Sequence, residues 1–136
     1  MLTSLGVRAT VVLADDHPGM LAEILKFLQP HFEIVAAVEN GILAVQAISA
    51  WRPDIAILDI AMPGMTGIEA AQRLLEMKSS TSIIFLTMQP DPDYLQAADA
   101  LGAGVVVKSR MRSDLLLAIE TALSHSSARQ PIPPLV

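Results

Sequence analysis

The stretch DIAILD, residues 54–59, places four consecutive apolar residues between two aspartates. A short, continuous apolar run of this kind is typical of a strand that is covered on both faces of a parallel sheet, whereas a strand with one solvated face alternates apolar and polar residues. Comparable runs, rich in β-branched residues, recur along the chain, and together with Asp54–Leu58 they predict five strands. The other four runs are Thr10–Ala14, Glu33–Val38, Ser82–Leu86 and Gly104–Val107.

The segments between these runs carry helical signals. Apolar residues recur on one helical face in the first three, and Arg112–Leu123 is predicted to form the last of five helices. Alternation of strands and helices predicts an α/β fold with a parallel sheet and right-handed crossovers. The start and stop signals are Asn40 as an N-cap, the Thr66–Glu69 capping box, Asp91 with Pro92 as N-cap and first helical residue, and Gly102 just past a helix end.

The composition excludes several classes of protein. With 136 residues, 52% of them hydrophobic and 17% charged, the chain suits one folded domain. Its apolar runs are far shorter than the roughly 20 residues of a membrane span, and the N-terminus lacks the layout of a signal peptide, so we expect a cytoplasmic protein without membrane contact. The absence of cysteine removes thiolate chemistry, and a net charge of −5 argues against direct nucleic-acid binding by this segment. His17, His31 and His125 lack metal-ligand spacing.

Polar side chains follow four of the five predicted strands. Asp15 and Asp16 follow the first strand, Asp59 the third, Thr87 the fourth and Lys108 the fifth. In open parallel sheets ligands bind beyond these carboxyl ends. Three carboxylates at one place repel each other unless a cation neutralises them, and an all-oxygen ligand set favours Mg²⁺. With an ammonium and a hydroxyl added, the set suits phosphoryl transfer, where positioning and charge neutralisation supply most of the catalysis.

Each of these residues also has a purely structural interpretation. Asp16 could N-cap the first helix, and Asp59 and Thr87 are residue types that are common in turns. A lysine such as Lys108 usually carries a solvated charge. Their joint placement at one edge of the sheet is what favours a functional site over separate structural roles.

With these residues in place, the chain resembles the CheY-like receiver domains of response regulators over about residues 9–123. The Asp-Asp-His-Pro run of residues 15–18 and Lys108 followed by Ser109, and not by Pro, are most similar to the NarL/FixJ group. The resemblance implies a flavodoxin-like, doubly wound sheet of five parallel strands in the order 2-1-3-4-5, flanked by five helices. The segments that carry it are Val12–Pro18, Ile57–Gly67, Phe85–Thr87 and Ala100–Lys108.

The resemblance also implies a role for each site residue. Asp59 is expected to accept a phosphoryl group from a sensor histidine kinase. Asp16, Asp59 and the backbone carbonyl of Ala61 are expected to bind Mg²⁺, and Asp15 to assist through a water molecule. Thr87 and Lys108 are expected to bind the phosphoryl oxygens. Such a domain is not an enzyme beyond its own phosphorylation and dephosphorylation.

The resemblance and the composition of the chain together predict the domain organisation. Residues 1–123 are expected to form the receiver domain, and residues 124–136 have the Pro- and Ser-rich composition of a tail or linker. Members of the NarL/FixJ group usually carry a C-terminal helix-turn-helix DNA-binding domain, whereas this sequence runs into the Pro-rich tail. Both a stand-alone receiver and a receiver separated from its effector at the linker are consistent with this. A weak homodimer is expected.

One departure from the family leaves the mode of signalling open. The family commonly has Tyr or Phe three residues before the lysine as a switch, and this sequence has Val105 there. The alternative to a phosphorylation-controlled module is therefore a constitutive, receiver-like interaction module. A Mg²⁺-dependent phosphatase with an aspartyl nucleophile ranks last, because Ala61 stands where such enzymes usually carry a second acid.

Overall fold

Strands and helices alternate along the chain in a computed structural model that describes the backbone of residues 8–129 and the side chains of residues 8–125. Within that range there are five strands, five α-helices and a 3₁₀ turn at Lys108–Arg110. The strands are β1 (Thr10–Ala14), β2 (Glu33–Val38), β3 (Ile55–Asp59), β4 (Ser82–Thr87) and β5 (Gly104–Val107). The helices are α1 (Pro18–Leu28), α2 (Gly41–Trp51), α3 (Gly67–Glu76), α4 (Pro92–Ala100) and α5 (Met111–Arg129).

The five strands form one parallel sheet in the order β2-β1-β3-β4-β5, which confirms the predicted doubly wound topology. β1 lies inside the sheet, where Leu13 pairs with Ala37 of β2 and with Ile57 of β3. All five residues of β3 are buried, as its continuous apolar run predicts. The carboxyl ends of β1, β3, β4 and β5 therefore lie side by side at one edge.

Alternate residues of β1, β3, β4 and β5 enter two separate cores, one on each face of the sheet, whereas Val35 and Ala36 of β2 both pack against the same core. On β1, Val11 and Leu13 pack against α1 and α5, whereas Val12 and Ala14 pack against α2, α3 and α4. Burial on both faces explains why the strands read as unbroken apolar runs. None of the helices within residues 8–129 has the length and apolarity needed to cross a bilayer.

The predicted helix signals are confirmed by the geometry. The Asn40 side chain caps α2, the Thr66 and Glu69 side chains form a reciprocal capping box at α3, and Asp91 caps α4. Gly102 has a φ of 69°, the left-handed conformation that glycine adopts most readily after a helix.

Several element ends differ from the sequence prediction. β3 is shifted by one residue, from the predicted Asp54–Leu58 to Ile55–Asp59, and β4 extends by one residue beyond the predicted Leu86, so that Asp59 and Thr87 are the last residues of their strands. α5 begins at Met111 and continues beyond the predicted end at Leu123 as far as Arg129. No Pro or Gly occurs between Met111 and Gln130, so neither of these helix-breaking residues ends the helix earlier. Residues 130–136 of the predicted tail lie outside the described residues.

Candidate functional site

The sequence-predicted acids meet at the carboxyl edge of the sheet. Asp15 lies just after β1, Asp16 follows it, and Asp59 ends β3, which pairs with β1. Each of the three offers a carboxylate oxygen, and these oxygens lie within 4.8 Å of one another. Asp15 and Asp59 are buried, and Asp16 is exposed.

Lys108 lies among these acids and is not a solvated charge. Its Nζ is 2.9 Å from Asp15 Oδ2 and 3.1 Å from Asp59 Oδ2, and only 7% of the side chain is exposed. Burial alone would lower the pKa of Lys108, but its hydrogen bond to Asp15 and the negative charges of Asp59 and Asp15 outweigh burial and raise the pKa above its usual value. The ammonium is therefore held charged between the two carboxylates.

The environment of Asp59 disfavours its ionised form. Burial, and next the negative charge of Asp15, raise the pKa of Asp59, while Lys108 and the backbone N–H of Ala61 act in the opposite direction. The net direction is upward. One ammonium thus compensates two buried carboxylates incompletely, and the site favours the arrival of additional positive charge.

Backbone groups fix the two buried carboxylates. The backbone N–H of His17 donates to Asp15 Oδ1 at 2.9 Å, and that of Ala61 donates to Asp59 Oδ1 at 3.3 Å. Gly67, the first residue of α3, packs so closely under the end of β3 that a Cβ atom there would overlap the carbonyl oxygen of Asp59. The sequence gives no local sign of this contact, because Gly67 appears there only as part of a capping sequence.

Asp16 is not the N-cap of α1, which corrects one of the two interpretations of that residue. The cap is His17, whose Nδ1 accepts a hydrogen bond from the backbone N–H of Met20 at 3.1 Å. Histidine is not among the preferred N-cap residues, so the sequence pattern favoured the aspartate. With the cap supplied by His17, the Asp16 carboxylate is free to face the cavity at the sheet edge, which it lines.

Thr87 lines the same cavity, but its hydroxyl does not contact the acids or Lys108. It donates to the carbonyl oxygen of Gln89 at 2.8 Å and accepts from the backbone N–H of Gln89 at 3.3 Å. This pair of bonds forms a turn immediately after β4. The hydroxyl can bind another acceptor at the edge only by giving up the Gln89 carbonyl.

A cavity of about 740 Å³ opens over the edge of the sheet. Its polar lining includes Asp16, Asp59 and Lys108. Its apolar lining comes from α1, from the segments after β3 and β4 and from α4, and includes Met20, Ile60, Met88 and Tyr94. Sequence analysis did not assign Met20 to the site. Met20 fits the apolar pattern of α1, and such a pattern does not distinguish a residue in the core from one at a helix end beside a cavity. The sequence therefore indicated only a core position for Met20.

The residues at this edge fit a hard divalent cation. Three carboxylate oxygens lie close together, and oxygen ligands are those that Mg²⁺ prefers. Asp15 Oδ2 is buried and, apart from its ion pair with Lys108, has no hydrogen-bond partner among the described residues. The atoms that could bind a metal at this edge are thus carboxylate oxygens, in a region that favours additional positive charge.

Comparison with known proteins identifies similar chains. A family model for the response regulator receiver domain matches residues 11–120. An uncharacterized response regulatory protein of Vibrio cholerae is 48% identical over 81 residues, which are 57% of this chain and 31% of that protein. The oxygen regulatory protein NreC of Staphylococcus epidermidis is 36% identical over 116 residues, which are 82% of this chain and 53% of that protein. The chain thus spans about half or less of the length of these curated relatives.

The fold is also shared with solved structures. The crystal structure of a DNA-binding response regulator of the LuxR family from Staphylococcus aureus superposes with a TM-score of 0.80 at 28% identity, covering 85% of this chain and 98% of that chain. The likeness extends over nearly the whole of that solved chain.

Proposed function

The chain belongs to the response regulator receiver domain family, and we propose that it accepts a phosphoryl group on Asp59 from a sensor histidine kinase. The observation that carries this proposal is the position of Lys108, whose ammonium contacts both Asp15 and Asp59 at the sheet edge. Receiver domains of response regulators are signalling domains rather than enzymes, so any turnover proposed here is confined to the domain's own phosphorylation and its reversal.

In the proposed reaction, a carboxylate oxygen of Asp59 attacks the phosphorus of a phosphohistidine. An O–P bond forms, the N–P bond breaks, and the imidazole nitrogen leaves. Lys108 is already beside Asp59 and can bind one phosphoryl oxygen, and the Thr87 hydroxyl can bind another once it leaves Gln89. Hydrolysis of the acyl phosphate by water later returns the free carboxylate and releases phosphate.

We propose that Mg²⁺ is bound by Asp16, Asp59 and the backbone carbonyl of Ala61, with Asp15 assisting through water. When bound, the ion supplies positive charge against the incoming phosphoryl group, which carries roughly −2. The acidic cluster supports this assignment, and so does the pKa of Asp59, which burial and next the charge of Asp15 raise, because a cation would favour the ionised carboxylates.

The proposed output is a change in association that begins at Thr87. Phosphorylation gives its hydroxyl a stronger acceptor than the Gln89 carbonyl, so the turn after β4 must move and Met88 and Tyr94 with it. The match covers only 53% of NreC of Staphylococcus epidermidis, and the LuxR-family chain from Staphylococcus aureus is described as a DNA-binding response regulator. We therefore propose that a C-terminal helix-turn-helix domain follows in the longer protein and that the segment itself forms a weak homodimer in the cytoplasm. Residues 1–123 would form the receiver unit, and residues 124–136 the connection to the next domain.

A constitutive interaction module is the second candidate. It is favoured by Val105, which is partly buried on β5 and has no ring that could turn between a buried and an exposed position. In such a module the site would still bind Mg²⁺, but phosphorylation would not alter partner binding.

The decisive experiment is incubation with acetyl phosphate and Mg²⁺, followed by intact mass spectrometry. We expect one added phosphoryl group on the parent chain, none on Asp59→Asn, and one on Asp99→Asn, which removes an exposed acid on α4 as a matched control. A parent chain that takes up no phosphoryl group would contradict the proposed acceptor role and favour the constitutive module.

A further inference from the structure

A second cavity lies at the opposite, amino edge of the sheet, where β3 and β4 begin. Its volume is about 380 Å³, at the lower end of the roughly 300–1,000 Å³ of small-molecule sites. Its floor is formed by Ile48 of α2 and Leu74 of α3, both fully buried. Apart from Met77, the remaining described residues of its lining are polar, and none of them is acidic. The rim is formed by Arg52, Lys78, Ser49, Ser79, Ser80 and Thr81.

We propose that this cavity binds the phosphate group of a small molecule. Arg52 and Lys78 supply two positive charges, and neither side chain has an ion-pair partner among residues 8–125. A guanidinium and an ammonium beside hydroxyl donors match a dianionic phosphate better than a singly charged carboxylate. The chain as a whole has a net charge of −5, whereas the described lining of this cavity has two cations and no acid.

The backbone gives a second, independent argument. In the part of the chain that the structure describes, Arg52 and Lys78 are the two non-glycine residues with positive φ, at 47° and 59°. Each follows the end of a helix, α2 or α3, at a position where glycine adopts the left-handed conformation without strain. The left-handed conformation itself is common at helix ends, where it lets backbone N–H groups bond to the last carbonyl oxygens, and the departure here is that both positions carry a cation instead of glycine. Both strained residues of the described chain line this one cavity.

Two of the hydroxyls already have partners, and two do not. Thr81 Oγ1 donates to the carbonyl oxygen of Pro53 at 2.8 Å, and Ser79 Oγ accepts from the backbone N–H of Thr81 at 3.3 Å. Among the described residues no hydrogen bond is formed by the hydroxyl of Ser49 or of Ser80. Those two hydroxyls remain available as donors to a phosphate oxygen.

The competing explanation is that Arg52 and Lys78 only balance the negative ends of the α2 and α3 dipoles. That role requires a charge near each last turn but no shared cavity and no hydroxyl rim. The two explanations predict different responses to anions, because a cation that only offsets a dipole has no saturable affinity for phosphate.

The test is an amide NMR titration of the full chain in EDTA at constant ionic strength, with inorganic phosphate and phenyl phosphate as separate probes and chloride as the reference anion. We expect saturable shifts confined to residues around Arg52 and to the Lys78–Thr81 segment. Tighter binding of phenyl phosphate would identify an organic phosphate as the better ligand, and equal binding would identify the free ion. Shifts that grow linearly, or that equal those in chloride, would overturn the proposal.

Glycine variants separate binding from folding. Arg52→Gly and Lys78→Gly suit the left-handed backbone, and together they should weaken phosphate binding at least tenfold while the rest of the spectrum is kept. Lys78→Asn is a second variant, since Asn also tolerates this conformation. Arg73→Gln removes an exposed charge of α3 outside the cavity and should leave binding unchanged. A glycine double variant that titrates like the parent would overturn the site. These results do not depend on Asp59, which lies at the other edge of the sheet.

Discussion

Lys108 Nζ lies 3.1 Å from Asp59 Oδ2, although Lys108 follows β5 and Asp59 ends β3, and these two strands are not neighbours. The lysine side chain therefore reaches past the carboxyl end of β4. The same ammonium lies 2.9 Å from Asp15, beyond the end of β1. One cation thus connects the carboxyl ends of β1, β3 and β5. Because these ion pairs hold separate strands together, the same residues contribute to the site and to the stability of the fold.

Removing Lys108 should destabilise the fold. Loss of one partner of a buried ion pair commonly costs about 3–5 kcal/mol, and Lys108→Met would leave two buried carboxylates facing each other. Urea unfolding in EDTA would measure the loss, and added Mg²⁺ should restore part of it. Lys26→Met, at an exposed position of α1, is the control and should change the free energy of unfolding by less than about 0.5 kcal/mol. Equal effects of the two substitutions would count against the bridging role.

Asp59→Asn should stabilise the chain at neutral pH. Because burial and Asp15 raise the folded-state pKa of Asp59, the folded state binds this proton more tightly than the unfolded state, and stability falls as the pH rises from the unfolded-state pKa through the folded-state pKa. Asparagine does not ionise and so avoids that loss. We expect the free energy of unfolding to increase by roughly 0.5–2 kcal/mol, the range typical of stabilising substitutions. Unfolding in EDTA from pH 4 to pH 8 should show the gain growing with pH. Asp99→Asn should show none, and a gain that is constant or larger at low pH would be inconsistent with the raised pKa.

Mg²⁺ binding should depend more on Asp16 than on Asp15. Asp15 already accepts a hydrogen bond from His17 and pairs with Lys108, whereas Asp16 is exposed at the cavity. Calorimetric titration should therefore show a larger loss of Mg²⁺ affinity in Asp16→Ala than in Asp15→Ala, and EDTA should stop phosphorylation of the parent chain. The reverse order, or phosphorylation at an undiminished rate in EDTA, would refute the proposed ligand set.

Phosphorylation should strengthen association by degrees and not as a complete switch. A change from 1:99 to 99:1 needs about 5.5 kcal/mol, whereas charge-assisted contacts of Thr87 and Lys108 supply about 1.5–3 kcal/mol each. Thr87 must give up its hydrogen bond to the Gln89 carbonyl, which reduces the free energy available for the shift by about 0.5–1.5 kcal/mol. Val105 has no aromatic ring whose burial could add to that free energy.

Sedimentation with and without beryllofluoride, a phosphoryl mimic, would measure this response. Thr87→Ala should abolish the increase in association, and Thr87→Ser should keep most of it because the hydroxyl remains. A monomer that becomes wholly dimeric would show that the coupling is stronger than these contacts allow. An unchanged sedimentation profile would favour the constitutive module.

The sheet was predictable from the sequence because it is buried on both faces. That burial requires unbroken apolar runs, and β1, β2 and β5 have the predicted bounds. Asp59 and Thr87 were predicted to follow their strands and instead end them, since hydrogen bonding to a neighbouring strand continues one residue past the last apolar side chain. The location of the site at the carboxyl edge of the sheet was predictable because polar residues stand at the carboxyl ends of four of the five apolar runs.

Side-chain contacts at the site were less predictable than the residues themselves. Which of Asp16 and His17 caps α1 depends on local geometry, and the preference scale favours the residue that the structure does not use. The Gln89 carbonyl that engages Thr87 is a backbone group, which side-chain patterns do not report. The close approach of Gly67 to the backbone of Asp59 is a tertiary contact between β3 and α3, and a local sequence window cannot show it.

The bridge formed by Lys108 also has a consequence for the order in which the chain folds. β5 is a four-residue edge strand that pairs only with β4 among the described strands, so we expect it to dock after the centre of the sheet has formed. Until then, Asp15 and Asp59 face each other without their ammonium, and the barrier to folding includes their repulsion. In stopped-flow experiments Mg²⁺ should therefore speed refolding, whereas Lys108→Met should mainly speed unfolding, as expected for a contact that forms after the transition state. The cluster that we propose as the phosphorylation site would in this way also control the rate at which the sheet is completed.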